Sequence, residues 1–200
     1  TFDSRAYSPV FISKDSSIAF ISTYDGGQNL NLFNLKTKKS KQITKFDERP
    51  MISHLNYDEL SHSLYFDITF HHFREIYNYN FNDSAITTFK NNTLYDERNM
   101  ALDSFSGVKI YSRDKSGIFN LYMIDEKNES EGYISNVTGG AFMPDISNDG
   151  KVIFSLFQNG GYKISILDKS VFINDNFIGY DKNYFLNNRG LAPPITSINN

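Results

Sequence analysis

The chain has no cysteine and no tryptophan among its 200 residues, and only five prolines. Without cysteine there are no disulfides, no thiolate metal sites and no cysteine nucleophile; the compartment stays open, because many secreted and periplasmic domains also lack it. No apolar run approaches the roughly 18 to 20 residues that a membrane helix needs, so no transmembrane segment is expected in this chain. No charged-then-apolar leader opens it, and the first residue is Thr1 rather than Met, so it reads as a piece of a longer or processed protein. A basic footprint is missing too. Twenty Lys and Arg face 23 Asp and Glu, the formal net charge is −3, and the basic residues are scattered, so nucleic acid is not an expected partner. Catalytic signatures are absent in turn: there is no G-x-S-x-G elbow, no H-E-x-x-H, no phosphate loop ending in Lys-Ser/Thr and no G-x-G-x-x-G. The chain is expected not to be an enzyme and to need no cofactor, with the full-length parent left open.

What the chain does have is aromatic residues, 18 Phe and 13 Tyr in a hydrophobic share of 40%. Aromatics favour strands, and no amphipathic helical period persists for three turns, so the fold class is all-β. The length is ample for a core without staples. The organising stretch is Pro144 to Asp168, PDISNDGKVIFSLFQNGGYKISILD. A short strand turns at Asn148-Asp149-Gly150, a second runs from Lys151 to Phe157, and a third follows Asn159-Gly160-Gly161 from Tyr162 to Asp168, which is a hairpin pattern.

Three earlier segments are degraded copies of this unit. The first, residues 1–46, has strands at Pro9 to Ser13, Ser17 to Thr23, Asn29 to Leu35 and Lys41 to Thr44. The second, 47–93, has strands near Met51 to Leu55, Ser63 to Thr69, Glu75 to Phe81 and Ala85 to Phe89, with His71-His72 where the others carry glycines. In the third, 94–140, Met100 to Asp103, Val108 to Arg113 and Phe119 to Asp125 precede an acidic turn from Asn128 to Gly132 and a last strand ending at Val137-Thr138. The fourth, 141–175, has a final strand, if any, from Val171, and 176–200 reads as a linker or edge segment leading to a further region. Thr44 precedes Pro50 by six positions and Thr138 precedes Pro144 by the same six. FDSR at Phe2, FDER at Phe46 and YDER at Tyr95 recur at spacings of 44 and 49. Four-stranded repeats of this period predict propeller blades, about four of them, as part of a larger propeller or as a compact four-bladed ring.

These joins and hairpins resemble the TolB-type, WD40-like β-propeller repeat, visible in VTGGAFMPDISNDGKVIFS from Val137 and ITKFDERPMIS from Ile43. The usual Ser-Pro-Asp-Gly has become SKDS at Ser13 and SNDG at Ser147. The resemblance implies a non-catalytic module that binds a protein or peptide, in a periplasmic or cell-envelope setting. As the second-ranked alternative it allows the gating propeller of a prolyl-oligopeptidase-like serine hydrolase whose catalytic domain lies outside this chain.

In a propeller, the join between blades lies on the face that carries the turns between second and third strands. Asp47, Glu48, Arg49, Asp96, Glu97 and Arg98 are therefore expected around one mouth with Asp25, His71 and His72. Two readings stand: a charged rim that grips a partner, since Arg offers a planar fork to carboxylates, or an inter-blade signature in which Asp caps a turn and Arg bridges to the neighbouring blade. His54, His62, His71 and His72 invite a metal, but their predicted turns lie on opposite faces. Asp145, Ser147, Asp149 and Gly150 open like a calcium loop, yet Leu156 stands where the bidentate Glu belongs, so a hairpin turn is expected and no metal. Phe20, Phe66, Tyr111 and Phe154 fall at equivalent places in the four copies and are expected to pack between blades.

Overall fold

In a computed structural model, which describes residues 5–12, 16–70, 73–90, 95–174 and 178, Asp25-Gly26 and Asn159-Gly160 close two-residue hairpins. Both residues of each pair have positive φ, 47° and 74° in the first and 53° and 75° in the second. That geometry matches the twist of the flanking strands and is available to Asn, Asp and Gly at little steric cost.

The described residues form fifteen strands and no helix. The first sheet is β1 (Arg5–Ile12), β2 (Ser17–Tyr24), β3 (Gly27–Asn34) and β4 (Ser40–Gln42). The second is β5 (Met51–Asp58), β6 (Ser63–Phe70), β7 (Phe73–Asn80) and β8 (Ile86–Thr88), and the third β9 (Glu97–Asp103), β10 (Val108–Arg113), β11 (Asn120–Asp125) and β12 (Ser130–Tyr133). A three-stranded sheet of β13 (Ala141–Ile146), β14 (Val152–Gln158) and β15 (Gly161–Leu167) completes the row. Within the four sheets every strand pairs with its sequence neighbour and antiparallel to it, the topology of propeller blades.

Each inner strand carries the same irregularity. The register slips between Tyr7 and Val10, between Ser53 and Asn56, between Arg98 and Ala101, and between Phe142 and Asp145. Ser8, His54, Asn99 and Met143, 44 to 46 residues apart, take positive φ there. Two inner-strand residues thus oppose one on the second strand, the arrangement of a β-bulge. The single opposed residues are Phe20, Phe66, Tyr111 and Phe154, all buried, so the expected aromatic quartet packs in the core and marks the bulge. The inner strands read from sequence were too short because the bulge breaks the alternation that defines a strand.

The joins correct the sequence reading in three places. The Thr44 hydroxyl accepts a bond from the Leu30 N–H at 2.9 Å, and in the third blade Ser135, not Thr138, does the same for Leu121 at 2.8 Å. Asn29 and Asn120 support these hydroxyls and accept from Phe46 and Val137 N–H. Pro50 precedes β5 while Pro144 lies inside β13, so the shared six-residue spacing joins non-equivalent positions. The segment read as an acidic turn, Asn128 to Gly132, overlaps β12 from Ser130, and Val137-Thr138 belongs to the join. The Val171 segment adds no fourth strand to the last blade: the Ile173 N–H donates to the Tyr133 carbonyl at 2.8 Å, on the outer edge of the third blade. Gly132 makes room for it, since a Cβ there would lie 3.0 Å from the Phe172 ring.

Three clusters form the core. Ile12, Ile21, Leu30, Ile52, Leu64 and Phe66 lie among the residues joining the first two blades. Tyr65, Ile76, Met100, Tyr111, Tyr122 and Tyr133 join the second and third, with Ile178 against them. Ile110, Leu121, Ala141, Val152 and Phe154 are among those joining the third and fourth. None of these clusters joins the fourth blade to the first, and Ile153, Ile164 and Ile166 of the fourth are exposed. Among the described residues the four sheets form an open row, with no packing of the fourth against the first that would close a compact four-bladed ring.

Candidate functional site at the loop-bearing mouth

The turns between second and third strands meet the joins, by an ion pair in the first blade and by hydrogen bonds around Asp96. Asp25, in the first blade's turn, lies 3.9 Å from the Arg49 guanidinium of the next join, and both side chains are exposed, 85% and 64%. Asp47 and Glu48 are exposed beside them. At that accessibility the pair is strongly screened and contributes little to stability.

The second Asp-Glu-Arg triplet sits differently. Arg49 lies in a turn five residues before the bulge residue His54, whereas Arg98 lies within β9, immediately before Asn99. The two triplets are alike in sequence but out of register in the fold. Asp96 locks the join: its carboxylate accepts the Arg74 N–H at 3.1 Å and its own N–H donates to Asp114 at 2.8 Å. Glu97 is buried, leaving it off the rim, and lies 3.1 Å from Arg113, which stacks on Tyr95 and Tyr122 at 4.6 and 4.5 Å. Burial pushes Glu97 up to about 7, with Arg113 pulling the other way. Arg98 reaches towards the next blade, its guanidinium 3.8 Å from the Phe119 ring centre and 5.0 Å from that of Phe142.

Arg98 also lines a cleft of about 390 Å³ with Arg74, Asn99, Phe142, Met143, Ser155 and Tyr162, drawn from the second, third and fourth blades. Beneath it lies Asp67, 1% exposed, whose carboxylate takes two 3.1 Å bonds from the Asn99 N–H. Desolvation raises Asp67 to about 7, against the lowering effects of that amide, Arg74 and Arg98. The strand reading passed over Arg74 and Asp67. The one available signal was a carboxylate in the middle of SLYFDITF, where alternation asks for an apolar or neutral side chain.

The two described histidines, His54 and His62, take separate partners. His54 Nε2 lies 3.1 Å from the Met100 carbonyl, and His62 Nδ1 2.5 Å from the Tyr57 hydroxyl in the opposite turn. His71 and His72 lie outside the described residues. Near that opposite end, Lys109 is buried between blades, 3.5 Å from Asp58 and 2.5 Å from Glu126. Burial pushes Asp58 up, but bonds from Ser104, Ser61 and the Leu60 amide, with Lys109, hold it below the usual carboxylate range.

No protein-family model matches the chain. No curated protein matches it in sequence either. Solved structures do. TolB from Acinetobacter baumannii is 20% identical with a TM-score of 0.68, covering 85% of this chain and 42% of that one. A TolB from Agrobacterium tumefaciens is 11% identical with a TM-score of 0.64, over 79% of this chain and 59% of its own. A puromycin-hydrolysing peptidase from Mycobacterium tuberculosis is 10% identical with a TM-score of 0.65, over 83% of this chain and 28% of that one. The chain thus spans less than two thirds of each of these structures, and what it shares with them is the architecture of four-stranded antiparallel blades. Its fold is that of the TolB-type β-propeller.

Proposed function

We propose that the chain is a non-catalytic propeller module that binds a protein or peptide at the mouth formed by the joins and the turns between second and third strands. The carrying observation is the concentration there of exposed charge, Asp25, Asp47, Glu48 and Arg49, beside a cleft lined by Arg74 and Arg98. Likeness to two TolB structures supports this reading and a periplasmic or cell-envelope setting. Among the described residues no helix is long and apolar enough to cross a membrane. The test is a photo-crosslinking residue placed at Glu48 on the mouth or at Asn148 on the opposite turn. Adducts formed in an envelope extract from Glu48 and not from Asn148 are expected; the reverse pattern rejects the assignment.

A second reading is the gating propeller of a serine hydrolase, favoured by likeness to the puromycin-hydrolysing peptidase and to prolyl endopeptidases. Labelling source cells with an active-serine probe decides it. A labelled species larger than 23.0 kDa that an antibody to this chain recognises is the expected signature, and its absence removes the alternative.

A further inference from the structure

We propose that the cleft between the second, third and fourth blades is a carboxylate-binding pocket, in which Arg74 and Arg98 grip a carboxylate whose neighbouring apolar side chain rests on Phe142, Met143 and Tyr162. The proposal rests on the mouth being the partner-binding face and names the chemistry that the face selects.

The guanidiniums are the first reason. Among the described residues, neither Arg74 nor Arg98 has a carboxylate within ion-pair distance. Arg74 uses its Nε to donate to Thr69 at 3.1 Å, and Arg98 Nε is buried with no partner there. A guanidinium carries five donors in a planar fork, and burying it partly without acceptors is unfavourable unless a ligand supplies them. The two arginines also repel each other: burial, and then the charge of Arg74, make Arg98 easier to deprotonate, while Asp96, Asp67 and Asp114 act the other way. Asp96 is engaged with the Arg74 amide at the start of β7, Asp114 with the Asp96 amide in the join, and Asp67 with that of Asn99. A fixed pair of cations facing a cleft, with the nearby acids occupied elsewhere, is complementary to an incoming carboxylate.

The walls supply the rest of the specificity. Phe142 packs tilted against Phe119 at 5.2 Å and edge-on to Tyr162 at 6.2 Å, and Tyr162 leans on Phe157 at 5.1 Å. On one side this aromatic ledge carries the Arg98 guanidinium over Phe119 and Phe142. On the other it leaves Tyr162 and Met143 exposed, 70% and 62%. A carboxylate beside an apolar group meets both halves of the pocket, and either a peptide C-terminus or an Asp or Glu side chain next to an apolar residue can provide it.

The test uses the 200-residue chain and three labelled pentapeptides ending in Phe: one with a free C-terminus, one amidated, and one amidated with Asp before the Phe. Fluorescence polarisation reads binding. A tenfold or greater advantage of the free over the plain amidated peptide, lost in Arg98→Gln and Arg74→Gln, supports C-terminal capture. Recovery of binding by the Asp-bearing amide, lost in the same variants, supports side-chain capture. Equal binding of all three peptides, binding unchanged in both variants, or no binding at all overturns the pocket. Arg74→Lys and Arg98→Lys keep charge and bulk without the fork. They serve if a glutamine variant does not fold, and a tenfold loss in either is expected. Failure here with mouth-specific crosslinking intact leaves the partner-binding reading standing; crosslinking only from Asn148 rejects that reading whatever the peptides do.

Discussion

The seam between the first and second blades and the seam between the second and third are closed by opposite means. The first is mainly aliphatic, with Ile12, Ile21, Leu30, Ile52, Leu64 and Ile68 buried. The second buries Tyr65, Tyr111, Tyr122 and Tyr133, flanked by the Lys109–Asp58–Glu126 trio, by Asp67 against Asn99 and by Glu97 with Arg113. Apolar contacts are non-directional and tolerate small shifts. Buried charges must meet their partners in one geometry or leave an uncompensated ion. The polar seam also abuts the cleft, since Asp67 sits beneath Arg74 and Arg98, so the two seams divide labour between holding blades together and fixing the mouth in place.

The largest test of that contrast is Lys109→Met. It leaves Asp58 buried without its cation and is expected to cost about 3–5 kcal/mol in urea unfolding, most of it recovered in the double variant with Asp58→Asn. Near-zero loss would mean that the trio contributes no directional constraint. Leu30→Ala in the aliphatic seam is expected to cost about 3 kcal/mol, by the same amount at pH 5 and pH 8.

The polar seam should instead respond to pH. Asp67 and Glu97 are raised to about 7 from ordinary values near 4, so between those limits the folded chain binds more protons than the unfolded one. Stability contributed by the neutral forms is therefore full below about pH 4, declines as pH rises towards 7 and levels off above it, with a loss on the order of 2 kcal/mol for each group between pH 5 and 8. Thermal unfolding from pH 5 to 8 checks this, with Asp67→Asn and Glu97→Gln each expected to flatten the decline. The smallest effect belongs outside both seams: Arg49→Ala should change stability by less than about 0.5 kcal/mol, because its partner Asp25 is 85% exposed. A larger loss would give Arg49 an inter-blade role.

What could be read from sequence was what is local. Asp25-Gly26 and Asn159-Gly160 close hairpins through their own backbone preferences, and the Phe20, Phe66, Tyr111 and Phe154 quartet follows from strand composition. The bulge residues Ser8, His54, Asn99 and Met143 share a conformation but no side-chain chemistry, so no pattern announces them. Similar strings misled for the converse reason: FDER and YDER share letters, but Arg49 ends in a turn and Arg98 in a strand, because the distance from each triplet to its bulge differs. The Arg74 and Arg98 cleft was beyond reach, since it depends on how β7, β9, β13 and β15 of three different blades are set side by side.

The returning segment gives the row a mechanical order. After β15 the chain runs back to the third blade, where Ile173 pairs with Tyr133 and Phe172 covers Gly132. A pull on the chain from beyond Ile178 is therefore borne by its contact with the second seam and by the edge of the third blade, and the fourth is loaded only once both have slipped. The last blade is spliced to its predecessor at both of its ends, as a link is closed in a chain, and tension along the polypeptide meets the polar seam's neighbour before it meets the open face.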